Sequence, residues 1–135
     1  MSTSIEDYIS LTGRIFLSVI FIQSGIGKIG NFEGTVGYMS AHGMPMAPIF
    51  LFGAITFLLL GSLSLLSGYK IKYGVLMLLI FIVPATLIFH AFWAVPEEMV
   101  KVQTIMFTKN IAIIGGLLTV LAHGAGKFSL DKKSD

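Results

Sequence analysis

The sequence predicts an all-α fold, an integral membrane four-helix bundle formed by a single membrane domain over residues 1–135. Two observations predict it. Hydrophobic residues make up 55% of the chain and charged residues only 12%, about half the roughly 25% charged residues of a soluble domain. Four apolar segments are also long enough to cross a hydrocarbon core of about 30 Å. Backbone polar groups must bond internally in lipid, so these segments are predicted as helices.

The predicted spans cover about residues 8–28, 46–68, 73–93 and 102–123, and a polar tail follows at 124–135. Arg14 lies in the first span and Lys109 in the fourth, whereas the second and third spans have no charged residue. Pro84 removes a backbone donor from the third span and is expected to kink it. The connection 29–45 is predicted as a long loop. Residues 1–7 contain no Lys or Arg, so the first span is expected to remain as a mature helix, not a signal peptide.

Basic residues in the short connections predict the orientation. With both termini inside, the inner side has more lysines than the outer side. The inner lysines are Lys70, Lys72, Lys127, Lys132 and Lys133, and the outer ones are Lys28 and Lys101. We therefore expect a multi-pass protein of the cell (inner) membrane with both termini cytoplasmic.

Polar side chains collect in the outer half of the predicted bundle. Lys28 ends the first span, His42 precedes the second, and His90 lies about one turn inside the third. Lys109 and Asn110 lie roughly two turns inside the fourth. These positions predict one ligand pocket near the outer face.

The first span also shows a stripe along one face. Arg14, Ser18, Phe21, Gly25 and Lys28 recur at spacings that place them on one side of a helix. Ser and Gly in such a stripe permit close helix packing, so we expect the stripe to face the other helices.

Each of these residues has a structural alternative. Lys28 either extends to the headgroups or enters the pocket, and His90 alone is more often a packing residue than a ligand. Arg14 either reaches the inner interface or pairs with Glu6 or Asp7, and a structural pairing of this kind is the favoured interpretation. A Lys at a helix centre costs about 2.5–3.5 kcal/mol on insertion scales, and Asn110 adds a second polar group. A shared internal pocket is therefore favoured for Lys109.

The pocket chemistry narrows the ligand. No carboxylate lies inside any predicted span, so the pocket is either positive or, with a deprotonated lysine, neutral and rich in donors. It suits an anionic headgroup or a carbonyl oxygen. No metal is predicted, and no haem, because His42 is in a loop and His123 is at the other face. The chain has no cysteine, which excludes dithiol chemistry, and its net charge of +2 is too small to imply a nucleic-acid partner.

Four stretches together resemble the DoxX family of small four-helix membrane proteins, over nearly the whole chain. They are "GRIFLSVIFIQSGIGKI" (13–29), "YMSAHGMP" (38–45), "FHAFW" (89–93) and "MFTKNIAIIGGLL" (106–118). The resemblance implies a four-helix bundle with cytoplasmic termini. By resemblance, the family's motif positions fall on Arg14, Ser24, Gly25, Lys28, Lys109 and Asn110. Many relatives have a glutamate in the second helix, where this chain has Leu58.

Members of that family have been named as subunits of quinol oxidase or thiosulfate:quinone oxidoreductase systems. The resemblance therefore implies a quinone-interacting subunit or accessory of a membrane redox system, with quinone as its cofactor and with redox-complex subunits or a second copy as partners. Whether the chain is itself an enzyme stays open. The alternative is a non-catalytic bundle that binds a lipid or another membrane protein, and a small-molecule transporter is a third option. The predicted ligand-binding residues are Lys28, His90, Lys109, Asn110, Ser24 and His42, with Arg14 and Gly25 as structural motif residues.

Overall fold

The computed structural model describes residues 2–131, and this part of the chain contains helices and no strand. The helices are α1 (Ile5–Gly30), α2 (Phe32–Ala41), α3 (Ala47–Ser67), α4 (Ile71–Phe89) and α5 (Glu97–His123), with a short 3₁₀ turn at Phe92–Ala94 before α5. The predicted all-α class is confirmed.

Four of these segments are long and apolar enough to cross a membrane: α1, α3, α4 together with the 3₁₀ turn, and α5. The shortest, α3, has 21 residues, which at 1.5 Å per residue corresponds to about 31 Å. α1 and α5 begin before their predicted starts at about residues 8 and 102, because both helices extend into polar residues. In α1, a capping box of Ser4 and Asp7 fixes the start, and α5 begins at Glu97 directly after Pro96.

The connection predicted as a loop at 29–45 contains a helix, α2. Asn31 separates it from α1 with a non-helical backbone (φ −131°, ψ 51°). Met39 is its one fully buried residue, and this side chain packs in a small cluster with Ala47 and Leu51 of α3. The segment is too short to be predicted as a membrane span, and in the structure it is mostly exposed. It lies across the end of the bundle that also holds Gly30, Phe89 and Glu97, called here the α2 end.

The bundle core is centred on α3 and α4. α1 packs extensively on α3, α3 on α4, and α4 on α5, whereas α1 and α5 touch only sparsely. Leu58, Leu65, Val75 and Leu78 are fully buried in the core. A Cβ on Gly74 would overlap the side chain of Ser64, so the close approach of α3 and α4 requires a glycine there.

The opposite end of the bundle, called here the termini end, is held by a buried arginine. Arg14 is 1% exposed, and its Nη1 donates to the carbonyl oxygens of Leu65 at 2.7 Å and Leu66 at 3.4 Å. Its Nη2 donates to the carbonyl oxygen of Phe128. The pairing of Arg14 with Glu6 or Asp7 that the sequence favoured is replaced, within residues 2–131, by these carbonyl oxygens. The reason is that the last carbonyls of α3 lack helical partners.

The described part of the predicted tail folds back over this end. The Leu130 amide donates to the Ser67 carbonyl oxygen at 2.9 Å. The two carboxylate oxygens of Asp131 accept from the amides of Lys70 at 2.7 Å and Ile71 at 3.1 Å, which caps the start of α4. The rest of the tail, including Lys132 and Lys133, lies outside the described residues.

Candidate functional site

A cavity of about 330 Å³ lies at the α2 end of the bundle. All five helices contribute to its walls, which are mostly apolar and aromatic with a few polar groups. Of the predicted ligand-binding residues, five line it: Ser24, Lys28, His90, Lys109 and Asn110. The structure thus brings together side chains that are as many as 86 positions apart in the sequence, between Ser24 and Asn110.

On α1, Ser24 and Lys28 form a pair one turn apart. The Lys28 ammonium donates to the Ser24 hydroxyl oxygen at 2.9 Å. The same ammonium lies 5.7 Å from the centre of the Phe81 ring of α4, within the range of a cation–π contact. Lys28 is half-buried, so its stem is inside the bundle and the amine faces the cavity. This arrangement supports the pocket position for Lys28 over simple extension to the headgroups.

On α5, the two polar neighbours have different environments. Asn110 is 8% exposed, and its amide nitrogen donates to the Thr86 hydroxyl oxygen of α4 at 3.0 Å. Thr86 in turn donates to the Ile82 carbonyl oxygen at 2.6 Å. Lys109 lines the cavity but is exposed, with its ammonium 3.6 Å from the Met106 sulfur. Asn110 is therefore a fixed wall residue, and Lys109 lies on the rim.

His90 ends α4 and is held by a residue that the sequence did not indicate. Its Nδ1 lies 2.8 Å from the Gln103 side-chain oxygen of α5. An amide oxygen can only accept, so Nδ1 donates this bond, and Nε2 takes no part in it. Gln103 gives no signal in the sequence, because a single amide near a helix start is ordinary.

His42 is the one predicted ligand-binding residue that does not line the cavity. Its Nδ1 donates to the Tyr38 carbonyl oxygen at 2.9 Å. Its ring lies 4.4 Å from the Tyr38 ring and 5.1 Å from the Phe89 ring, and both of those residues do line the cavity. His42 therefore contacts the wall from behind. The prediction placed it by its level in the membrane, and level alone does not specify direction.

Aromatic side chains form much of the wall at this end. The Tyr38 ring stacks on the Phe89 ring at 5.4 Å, which joins α2 to the end of α4. From the sequence, Tyr38 is most simply an interfacial aromatic, and Phe81 is one of many apolar residues in its span. Their place at the cavity follows only from the position of α2.

The departure from the family pattern lies in the packed core. Leu58 is fully buried and does not line the cavity. Its Cβ lies 3.4 Å from the position that a Cβ on Gly25 would take, and the Leu59 side chain lies at 2.9 Å from the same point. Gly25 thus permits close contact of α1 with α3, and an aliphatic side chain lies where the resemblance implies a glutamate in many relatives.

The cavity has donors and basic groups, and no acidic side chain lies among its lining residues in the part of the chain described. Residues 2–131 also contain no group of three His, Cys, Asp or Glu side chains placed to hold a metal ion. The arrangement can hold an oxygen-bearing head at its polar groups and an apolar body along its aromatic and aliphatic walls.

Four membrane-crossing helices around a mostly apolar cavity with a few polar groups define a small multi-pass membrane protein. Comparison with protein families then places it more narrowly. The model of the DoxX family matches residues 9–91, and the chain belongs to that family. The resemblance inferred from the four sequence stretches is thereby confirmed.

Two relatives match nearly the whole chain. Inner membrane protein YqjF of Escherichia coli (strain K12) is 33% identical, over 95% of this chain and 93% of that protein. Inner membrane protein YphA of the same organism is 28% identical, over 91% of this chain and 88% of that protein. A Surfeit locus protein 4 homolog of Schizosaccharomyces pombe is 35% identical, over 49% of this chain and 22% of that protein. No solved structure matches the chain.

Proposed function

We propose that this protein binds a quinone at the α2 end of its bundle and serves as a quinone-interacting subunit or accessory of a membrane redox system. One observation supports this above the others. Lys28, His90, Lys109 and Asn110, from three different helices, border one cavity whose remaining walls are largely apolar and aromatic.

The size and chemistry of the cavity suit such a ligand. Its volume of about 330 Å³ is in the range of small-molecule sites, roughly 300–1,000 Å³. A quinone head has carbonyl oxygens that accept hydrogen bonds, on a flat ring that stacks against aromatic side chains. The Lys28 and Lys109 ammonium groups are the donors on opposite sides, and Phe81 and Phe89 supply ring surfaces.

The residues of the chain have separable roles in this proposal. A bound quinone supplies the capacity to carry two electrons and two protons. Lys28 and Lys109 orient its oxygens. His90 is the group that passes a proton to or from the quinone, through the Nε2 that its bond to Gln103 does not use. The sequence has no cysteine, so the electrons come from a partner subunit or a second bound group.

The direct test is quinone binding by the purified protein. Lipids extracted from it should contain quinone, and a short-chain quinone should bind with an affinity that falls at least tenfold, about 1.4 kcal/mol, in Lys28→Ala and Lys109→Ala. The matched control is Lys101→Ala, which is on the same helix as Lys109 and exposed but does not line the cavity. Absence of quinone from the extract, together with equal affinities in all three variants, would refute the proposal.

A second candidate is a non-catalytic protein that holds an anionic lipid. The observation that favours it is the presence of two lysines at a cavity whose described lining includes no acid. In this case phosphatidylglycerol or cardiolipin should bind more tightly than phosphatidylethanolamine, and neutral quinones should not compete. Competition by a quinone at a similar concentration would decide for the first candidate.

The orientation that we propose has both termini in the cytoplasm and the protein in the inner membrane, beside redox-partner subunits or a second copy. Lys70, Lys72 and Lys127 are at the termini end and Lys28 and Lys101 at the α2 end, which fits this orientation. Two relatives are each named as an inner membrane protein. A fluorescent protein fused after residue 135 should fluoresce, and a periplasmic phosphatase fused there should be inactive.

A further inference from the structure

One side of the cavity lies between a face of α1 and a face of α5, which are in contact at one level and separate towards the α2 end. On α1, Leu17, Ile20, Ser24 and Lys28 follow helical spacing along one face. On the antiparallel α5, Gly116, Ile113 and Lys109 do the same in the opposite direction.

These two faces meet at one level. A Cβ on Gly116 would lie 3.2 Å from Cδ2 of Leu17, so the helices are in contact there. Above that level, towards the α2 end, every other member of the two faces lines the cavity: Ile20, Ser24, Lys28, Ile113 and Lys109. The sparse contact between α1 and α5, in a bundle whose other neighbouring spans pack extensively, therefore reflects a gap bounded by these five residues, called here the α1–α5 gap.

Lys109 shows which way the gap faces. It lines the cavity and is exposed on a helix that is long and apolar enough to cross a membrane, so the cavity reaches the surface of the bundle at this residue. Its ammonium contacts the Met106 sulfur at 3.6 Å, which is a weak acceptor. A lysine that faces lipid is unfavourable unless oxygen atoms reach it, and a ligand head in the gap would supply them.

We propose that the cavity opens sideways into the bilayer through the α1–α5 gap and takes a lipid-borne ligand. Its oxygen-bearing head lies between Lys28 and Lys109, and its apolar tail passes out between the two helices. This inference rests on the proposed function for the use of the cavity, but it holds for either a quinone or an anionic lipid, because both have an oxygen-rich head on an apolar tail. A water-borne anion that enters from the α2 end is the competing route.

Single cysteines test the route without reference to any ligand, since the chain has none of its own. In liposomes, Ser24→Cys should react at least tenfold faster with a maleimide carried within the acyl chain of a phospholipid than with a charged, water-soluble thiosulfonate. Lys28, 2.9 Å from the Ser24 hydroxyl, favours the reactive thiolate. Ile20→Cys, which also lines the cavity, should give the same order and covers the case in which the Ser24 variant folds poorly.

Two further Ser→Cys variants are matched controls. Ser40→Cys, exposed on α2, should prefer the water-soluble reagent, and Ser62→Cys, fully buried on α3, should react with neither. Faster reaction of Ser24→Cys and Ile20→Cys with the water-soluble reagent would overturn the sideways route.

A crosslink across the gap tests its use by the proposed ligand. A short thiol–thiol crosslinker between Ile20→Cys and Ile113→Cys should slow exchange of bound quinone at least tenfold. The same treatment of Leu17→Cys with Gly116→Cys, where the helices already touch, should change exchange less than twofold. Equal effects of the two crosslinks would overturn the inference. If the uncrosslinked protein binds no quinone, the proposed function fails, and the labelling order still decides the route.

Discussion

The two ends of the bundle hold their cations in opposite ways. At the termini end, Arg14 is 1% exposed and donates to three carbonyl oxygens of α3 and the tail. At the α2 end, Lys28 and Lys109 border open space and have as side-chain partners one hydroxyl, one thioether and one aromatic ring. Both ends gather positive charge from the first and last parts of the chain, but only the termini end surrounds it with acceptors.

The difference indicates which cation is structural and which are available. The Nη1 and Nη2 atoms of Arg14 already donate to carbonyl oxygens, and its Nε has no partner within residues 2–131. A ligand at the terminal nitrogens would have to replace those bonds, so the guanidinium gains little from one. An ammonium beside a cavity keeps donors for an incoming oxygen. The partners of a buried charge, more than its depth, therefore separate a structural position from a binding position in this protein.

The strongest test of this comparison is Arg14→Ala. It leaves the carbonyl oxygens of Leu65 and Phe128 without their donor. Hydrogen bonds to charged groups contribute about 1.5–3 kcal/mol each, so we expect the free energy of unfolding to fall by at least about 3 kcal/mol. Unfolding by sodium dodecyl sulfate in mixed micelles measures it. Arg14→Lys keeps the charge but loses the planar guanidinium fork, so its free energy of unfolding should lie between those of the wild type and Arg14→Ala. If Arg14→Ala were as stable as the wild type, Arg14 would not be a structural residue.

Gly25 tests the packing of α1 between the two ends of the bundle. In Gly25→Ala the new Cβ would lie 2.9 Å from Cδ2 of Leu59, so the Leu59 side chain must move aside or the two helices must shift. Overpacking of this kind costs about 1–3 kcal/mol. The matched control is Gly27→Ala on the same helix, where the Cβ meets nothing within 4 Å. The control should be neutral or slightly stabilised, and an equal loss in both variants would show that close packing at Gly25 is unimportant.

Asp131→Ala tests the tail. Its carboxylate accepts from the amides of Lys70 and Ile71 at the start of α4, and loss of such a cap costs about 0.5–2 kcal/mol. We expect a loss of about 1 kcal/mol in the same unfolding titration. Asp131→Asn, which keeps one acceptor oxygen, should lose less. Identical stability of all three proteins would mean that the tail does not support α4.

The smallest effect is expected at the α2 end. Lys109→Ala removes an exposed side chain whose ammonium has, among the described residues, only the Met106 sulfur within bonding distance. The free energy of unfolding should change by no more than about 0.5 kcal/mol, while quinone affinity falls as proposed above. A large loss of stability in Lys109→Ala would make it a structural residue like Arg14 and would remove the contrast between the ends.

Much of the architecture was predictable from the sequence for simple reasons. Apolar length identifies a membrane-crossing helix regardless of its neighbours, so the four spans emerged. Helical spacing identifies a face, and Arg14, Ser18, Phe21 and Gly25 of the predicted stripe are the buried residues of α1. The level of a polar residue follows from its position along a span, which brought Lys28, His90, Lys109 and Asn110 to one end.

The contacts that these polar residues make follow from the tertiary structure. The partners of Arg14 are carbonyl oxygens 51 or more residues away, and every residue has such an oxygen, so no side-chain pattern could select them. The bond of Gln103 to His90, the turning away of His42 and the opening between α1 and α5 depend equally on how the helices pack. Which segments cross the membrane and which faces turn inward could be predicted from the sequence, because both are local properties of a helix in lipid. The structure decided which charge is satisfied and which faces a cavity, because that depends on contacts between helices.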